Sequence, residues 1–384
     1  MLRTLNQSLR RFGSGCEYFQ QSKRSWTCSL PTLTQRFHST GKRQENCFAT
    51  LDIGSGEAKL VVARVPDLHT ERPEKLEILF EDAVEVELAH DLNKTGTNYL
   101  SQEILLEAED ILSGMVDTSV NRYGIPTENI IGFGTQVFRT AENGPAFLSS
   151  LRDSLGIDIE IASHNKESAI GFATASALYR GAANREDLVC WDTGAGSFQF
   201  SAFDHEPLEA RLGNSTVCAM LSVLKKLPVT SSSNPVTAEE VAALDAQIMD
   251  YLNETFPAMD EFWIEKWKSS KTKVVGIGGK TSAFATCIHA LRSQLYIHPK
   301  EEDNFTFTID ELDEVRTICL DRKDTDFMQL NFLQGDIVVQ KLSLMSQVME
   351  KFGIKEVQYL PSNGGCLGYL GLELEKRYNA NVKL

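Results

Sequence analysis

The sequence has no long hydrophobic run. Nowhere do 18 apolar residues follow one another, so it contains no segment typical of a membrane-spanning helix. Its eight cysteines form no Cys-x-x-Cys pair, and none is spaced from a histidine as in a zinc site. This pattern excludes a disulfide scaffold and a structural zinc site. We therefore expect reduced, mostly buried thiols and no membrane partner.

Positive charge is scarce outside the first 43 residues. The chain has 38 Lys and Arg against 53 Asp and Glu, a net charge of −15. Residues 1–43 carry a net charge of +7, so the rest of the chain carries −22. Binding to a nucleic-acid backbone depends on clustered Lys and Arg, which this acidic body excludes. The length of 384 residues, with 42% hydrophobic and 24% charged, is typical of a soluble protein of two domains.

The basic N-terminus has the composition of a mitochondrial transit peptide, rich in Arg, Ser and Thr and almost free of acids. Leu2, Leu5, Leu9 and Phe12 would share one face of a helix with basic residues around them. Residues 36–40 resemble the cleavage region of such presequences. We predict that residues 1–43 direct the protein to the mitochondrial matrix; a disordered basic tail is the alternative.

After residue 45 the sequence alternates strand-like and helix-like segments, which predicts an α/β fold. One pattern occurs twice: a strand, a glycine turn that follows an aspartate, and a returning strand. The two copies span residues 48–65 and 187–203. Two later helices are predicted by capping boxes, Thr237 with Glu240 and Thr308 with Glu311. The repeat indicates two similar domains, at 44–165 and 166–384, and allows for the last helix to pack back on the first.

The two glycine turns predict phosphate binding. Backbone amides exposed in a glycine turn at a strand end can bind phosphate oxygens. Asp52 and Asp192 would repel a bare phosphate, so their presence implies a divalent cation or an oriented water beside it. A single Asp-x-Gly-Ser is also an ordinary turn. Two copies between apolar strands favour the functional interpretation.

Several segments together resemble the exopolyphosphatase and guanosine-pentaphosphate phosphatase (Ppx/GppA) family, a branch of the actin, sugar-kinase and Hsp70 fold. The most specific is Gly134-Thr-Gln-Val-Phe-Arg-Thr-Ala-Glu-Asn143, followed by Phe147 and Leu148, which kinases of this fold lack. The others are residues 48–55, 156–161, 166–169, 189–197, 274–279 and 363–370. The resemblance spans residues 47–372 and implies a short form without the C-terminal helical domain. It also implies a duplicated α/β fold with two ribonuclease H-like domains.

The resemblance also implies roles for individual residues. Glu167 would be the general base that activates water. Asp52 and Asp192 would take part in catalysis by holding Mg²⁺ or Mn²⁺. Phosphate would be bound by residues of four segments: Gly54, Ser55, Thr135, Arg139, Gly194, Gly196, Ser197, Gly278 and Gly279. Without the resemblance, Glu167 could equally be a solvated acid at a helix start, and Arg139 could pair with Glu142.

The sequence departs from the family pattern at several positions around these loops. They are Gly56, Glu57, Ala169, Ala195, Gln199, Lys280, Cys366 and Leu367. Ala169 and Cys366 stand where the family has arginines. Because a long polyphosphate chain needs a basic channel, these losses and the acidic body favour a short substrate.

Three functions follow from these observations. The first is hydrolysis of a terminal phosphoanhydride in polyphosphate or in a guanosine penta- or tetraphosphate. The second is a weak or inactive regulator that binds phosphate or a nucleotide. The third, a kinase of the same fold, is the least supported because the 134–143 segment has no place in it. A homodimer is compatible with the sequence.

Overall fold

The computed structural model describes residues 46–66, 76–193, 198–203, 210–211, 234–256 and 261–382. These residues belong to one compact unit. The predicted transit peptide and the turn with Gly194, Gly196 and Ser197 lie outside the described residues. Within the described ranges, no helix is both long and apolar enough to cross a bilayer.

The first sheet is built around a buried central strand. Its strands are β1 (Cys47–Ile53), β2 (Glu57–Arg64), β3 (Glu77–Glu85), β4 (Ile130–Gly134) and β5 (Asp158–Ile161). They lie in the order β3-β2-β1-β4-β5. β1 pairs antiparallel with β2 and parallel with β4. Every residue of β1 is buried, as expected for a nearly continuous apolar strand covered on both faces.

The second sheet repeats this arrangement. Its strands are β6 (Leu188–Thr193), β7 (Phe198–Phe203), β8 (Ala210–Arg211), β9 (Lys273–Gly278), β10 (Thr306–Thr308) and β11 (Glu356–Pro361). Their order is β10-β11-β9-β6-β7-β8. β6 pairs antiparallel with β7 and parallel with β9, so it is the counterpart of β1. The predicted duplicated α/β fold is confirmed; the domain boundary near residue 165 stays a prediction.

Twelve α-helices are described around the sheets. They are α1 (Leu88–Thr95), α2 (Gln102–Asp117), α3 (Gln136–Thr140), α4 (Gly144–Leu155), α5 (His164–Leu178), α6 (Ala238–Thr255), α7 (Glu261–Lys268), α8 (Ala283–Arg292), α9 (Ile309–Cys319), α10 (Asp324–Gln329), α11 (Val338–Phe352) and α12 (Cys366–Val382). Both predicted capping boxes are present, at the starts of α6 and α9. The five described cysteines are buried and form no disulfide with one another, as expected.

Two helices connect the sheets. α5 buries Phe172 and Ala175 against the second sheet, whereas Leu367 and Leu370 of α12 pack on the first. The helices touch closely at Gly368, where an added Cβ would lie 2.1 Å from the carbonyl oxygen of Ile170. The last helix therefore does pack back on the first sheet, and it also packs closely against α5, which lies on the second sheet.

Candidate active site

Two aspartates hold equivalent positions in the repeated sheets. Asp52 is the second-last residue of β1, and Asp192 is the second-last residue of β6. Each therefore lies at the carboxyl end of a central strand, where α/β folds place their ligands. The charge of Asp52 is close enough to contribute to the raised pKa of Asp192.

The carboxylate of Asp52 is buried and held by the last glycine loop. Its Oδ2 accepts a hydrogen bond of 2.8 Å from the amide of Gly365. Gly364 has φ +67°, and a Cβ there would lie 2.1 Å from the same oxygen. Only glycine therefore fits this approach. Burial raises the pKa of Asp52, against the opposing effect of Lys59.

Asp192 rests against α5 and is oriented by a short polar chain. The hydroxyl of Ser168 donates to Oε1 of Gln199 at 2.9 Å. The amide of Gln199 then donates to Oδ2 of Asp192 at 3.5 Å. Burial raises the pKa of Asp192 to about 6, with Gln199 and Lys59 acting in the opposite direction. Gln199, a departure from the family pattern, is thus a direct partner of the predicted metal ligand.

Glu167 lies in the first turn of α5, which Ser163 caps by accepting from the amide of Lys166. Its Oε2 lies 2.6 Å from Nη2 of Arg139, and both side chains are 19% exposed. Burial raises the pKa of Glu167 to about 7 although Arg139 opposes it, and the charge of Asp192 adds to the rise.

These contacts decide two alternatives that the sequence left open. Glu167 is not a freely solvated acid, and Arg139 pairs with it rather than with Glu142. Glu142 instead accepts a hydrogen bond from the hydroxyl of Tyr99.

Lys59 is a site residue that the sequence analysis missed. It lies directly opposite Asp52 in the β1–β2 hairpin, and its ammonium is 3.6 Å from the carboxylate of Glu57. Burial alone would lower the pKa of Lys59, but Asp52, Glu57 and Asp192 outweigh it and raise that pKa. The added charge of Glu57 is thus offset by a cation in the same hairpin. The hairpin register was the signal that could have identified Lys59.

Two of the predicted phosphate donors already have partners in the protein. The amide of Gly54 donates to the carbonyl of Glu57 at 2.9 Å and closes the hairpin. The hydroxyl of Thr135 donates to the carbonyl of Ile53 at 3.3 Å. Either group can therefore bind a ligand only if its present hydrogen bond breaks. Ser55 lies beside them at the turn and is partly exposed.

The third glycine loop lies beside the end of β6. A Cβ added to Gly278 would be 2.8 Å from the carbonyl oxygen of Thr193, so this approach requires glycine. Gly279 follows and is partly exposed. The structure therefore brings Gly278 and Gly279 next to the strand that carries Asp192.

The described residues contain no cluster of three His, Cys, Asp or Glu side chains arranged to hold a metal. Asp52 and Asp192 nevertheless fit a different kind of site. Mg²⁺ at phosphate-transfer sites is commonly held by one or two carboxylates together with waters and substrate phosphate oxygens. Both carboxylates are partly desolvated and neither has an ion pair that occupies both of its oxygens.

Comparison with known proteins agrees with the observed fold. A solved structure of a Ppx/GppA family member from Aquifex aeolicus is 15% identical, covers 86% of this chain and 98% of its own, and superposes with a TM-score of 0.64. An exopolyphosphatase from Cytophaga hutchinsonii gives the same values. Both likenesses support the fold.

A curated relative adds evidence from sequence. The bifunctional 3-dehydroquinate synthase/phosphatase of Fusobacterium nucleatum is 21% identical over 327 residues, covering 83% of this chain. The chain spans only 45% of that protein's length. The family model of the Ppx/GppA phosphatases matches residues 61–365, which include Glu167, Asp192 and the third glycine loop. With a match over most of its length, the chain belongs to the Ppx/GppA phosphatase family.

Proposed function

We propose that the protein hydrolyses the terminal phosphoanhydride of a short inorganic polyphosphate or of a guanosine penta- or tetraphosphate. The observation that carries this proposal is that Glu167 has a pKa of about 7 and lies close enough to Asp192 and Asp52 for both charges to raise that pKa. A general base is most effective when its pKa lies near the working pH. The phosphatase and exopolyphosphatase names of its relatives support the same reaction class.

In this reaction Glu167 accepts a proton from a water molecule as that water attacks the terminal phosphorus. The bridging P–O bond breaks, and the products are inorganic phosphate and a chain shorter by one phosphate. Arg139 fixes the direction of the Glu167 carboxylate. Asp52 and Asp192 would hold Mg²⁺ or Mn²⁺, which when bound supplies charge neutralisation for the phosphate oxygens.

The charges around the site favour a short substrate. Lys59 and Arg139 are cations within the site, but both are engaged by carboxylates. The sequence after residue 43 carries a net charge of −22, so long polyanions would be repelled. We therefore expect KM to change little with chain length beyond the first few phosphates.

Phosphate release from the full-length protein tests this function. The substrates are polyphosphates of several lengths and guanosine tetra- and pentaphosphate, each with Mg²⁺. We expect turnover of at least one short substrate, and a loss of about 100-fold or more in Glu167→Gln, the range of a missing general base. Glu142→Gln is the matched control, because this acid lies in the same family signature and binds Tyr99. Absence of turnover with every substrate would refute the proposal.

A regulator that binds without turnover is the second candidate. It is favoured because two of the site acids are already engaged by residues of the same chain: Arg139 pairs with Glu167, and the amide of Gly365 donates to Asp52. Calorimetry would then show binding of a short polyphosphate or nucleotide by a protein that releases no phosphate. A difference in turnover between the parent protein and Glu167→Gln would exclude this candidate.

A further inference from the structure

Lys341 is a buried cation that the proposed reaction does not use. It lies in α11 among apolar residues and is 1% exposed. Its ammonium donates to the carbonyl of Thr281 and to Oε1 of Gln334, each at 2.8 Å. Both acceptors are neutral. Burying an ammonium without an ion pair is costly, so its presence indicates a role beyond packing.

The charged and titratable groups around α11 leave this ammonium largely uncompensated. Cys287 of α8 and Asp336 of the turn before α11 act on Lys341 from a distance. On the faces toward α6 and α9, Asp245 and Asp313 pair with Arg316 instead. Burial lowers the pKa of Lys341 to about 8, so the side chain is mostly charged at neutral pH.

The bond to Thr281 places Lys341 directly beneath the third glycine loop. Three further hydrogen bonds hold carbonyls of that loop. The hydroxyl of Tyr359 donates to the carbonyl of Gly278 at 2.9 Å and lies 3.3 Å from that of Gly279. The amide of Ser282 also donates to the carbonyl of Gly279, at 3.0 Å. Three carbonyls of one short loop are thus turned into the protein and held there.

This orientation determines where the loop amides point. The only cis peptide among the described residues is Asn234-Pro235, so the loop peptides are trans. In a trans peptide the carbonyl and the following amide point in opposite directions. With the carbonyls of Gly278 and Gly279 turned inward, the amides of Gly279 and Lys280 face outward, beside the end of β6. Outward amides over a buried positive charge form a site for an anion.

We propose that Lys341 is a positioning residue: together with Tyr359 it holds the third glycine loop in its phosphate-binding conformation and adds a positive charge beneath it. This role rests on the proposed function, because it assigns the loop to a phosphate of the substrate. Lys341 does not touch the reacting atoms.

The test uses Lys341→Met in the full-length protein, since methionine keeps most of the length and removes the charge and the bond to Thr281. Ser346→Ala is the matched control. Ser346 is a buried residue of the same helix, and its hydroxyl donates to Asp313 at 2.6 Å, away from the loop. Thermal unfolding shows whether the two variants are comparably stable. Tyr359→Phe provides a second variant that removes a single hydroxyl.

Calorimetry with inorganic triphosphate and Mg²⁺ measures affinity at pH 7 and at pH 9, with Glu167→Gln as the parent background for every variant so that the ligand is not hydrolysed. We expect Lys341→Met to bind roughly tenfold more weakly at pH 7, and Ser346→Ala to stay within about twofold of the parent. The parent should lose affinity between pH 7 and 9 relative to Lys341→Met, because Lys341 loses its proton in that range. Ionisation of the ligand is common to all variants.

Hydrogen exchange of residues 278–285 gives a readout that needs no ligand. We expect faster exchange in Lys341→Met and Tyr359→Phe than in Ser346→Ala, because the amide of Ser282 depends on the held loop. Equal affinity in Lys341→Met and Ser346→Ala, or unchanged loop exchange, would overturn the positioning role. If the parent bound no triphosphate, the proposed function would fail, and loop exchange alone would decide the role of Lys341.

Discussion

Replacing Arg139 by methionine separates two roles for this arginine, as the partner of the general base or as a contact of the substrate phosphate. Its Nη2 lies 2.6 Å from Oε2 of Glu167, in a pair that is 19% exposed on both sides. Loss of the guanidinium destabilises the ionised form of Glu167 and leaves the protonated form unaffected. The pKa of Glu167 should therefore rise.

The size of this rise follows from the geometry. A hydrogen bond to a charged group contributes about 1.5–3 kcal/mol, and about 1.4 kcal/mol corresponds to one pH unit. The pKa of Glu167, about 7 in the parent, should rise by roughly one to two pH units. At pH 7 the ionised fraction then falls from about half to between roughly 1 and 10%, so kcat falls about 5- to 50-fold.

The assay is the pH dependence of phosphate release from about pH 5 to 10. The parent should gain activity with rising pH through about 7, because the base works in its ionised form. Arg139→Met should show the same curve displaced to higher pH, with most activity restored above pH 9. Arg152→Met is the control, since that exposed arginine pairs with Asp158 on the surface. If Arg139→Met lost the same factor of activity at every pH, the reasoning would be refuted, and Arg139 would be assigned a contact with the substrate phosphate instead.

Three further predictions concern the loop, the aspartate pair and the N-terminus. Gly364→Ala should destabilise the protein by at least about 1 kcal/mol more than Gly353→Ala in urea unfolding, because both have φ +67° but only the former would crowd Asp52. Asp192→Asn should stabilise the ligand-free protein by about 1–3 kcal/mol at pH 8 and by less at pH 5. The reason is that burial raises the pKa of Asp192 from 3.8 to about 6, so the parent loses stability as pH rises between these two values and regains none above them. Residues 1–43 fused to a fluorescent protein should reach the mitochondrial matrix, and a cytosolic signal would contradict the predicted transit peptide.

The sequence predicted the parts of the fold that depend on local patterns. The two hairpins after Asp52 and Asp192 stand out because an apolar strand, a glycine turn and a returning strand follow one another directly. The same holds for the capped starts of α6 and α9. These features need no knowledge of distant contacts. The structure has both antiparallel strand pairs and both caps where the sequence placed them, while residues 194–197 of the second turn lie outside the described part of the chain.

Boundaries set by tertiary contacts were less predictable. The alternation of Val84, Val86 and Leu88 with Glu85 and Glu87 predicts one strand over about residues 79–88. In the structure β3 ends at Glu85 and Leu88 begins α1. The reason is that the amide of Val86 donates to the carbonyl of Gly56 in the first turn rather than continuing the ladder. Residues 130–138 likewise read as one strand from the sequence, but β4 ends at Gly134 because the chain turns there into α3.

The pairing of site residues could not be predicted from the sequence, because it too depends on tertiary contacts. Arg139 and Glu167 meet because α3 follows β4 while α5 begins after β5, next to it in the sheet. Lys341 reaches Thr281 only because α11 packs against α8. Neither contact leaves a periodic or motif signal. The sequence could therefore assign roles to Arg139 and Glu167 without pairing them, and Lys341 resembled an ordinary helix residue.

The distribution of charge connects these observations. A surface with a net charge of −22 beyond residue 43 gives no attraction for a polyanion at long range. The cations that matter lie inside the fold: Lys59 beside Asp52, Arg139 beside Glu167, and Lys341 beneath the third glycine loop. Buried charges are screened little by salt, whereas surface charges are screened strongly. A ligand would therefore be held by its terminal phosphates and not along its length, which is the property that separates a short-chain enzyme or sensor from one that processes long polyphosphate.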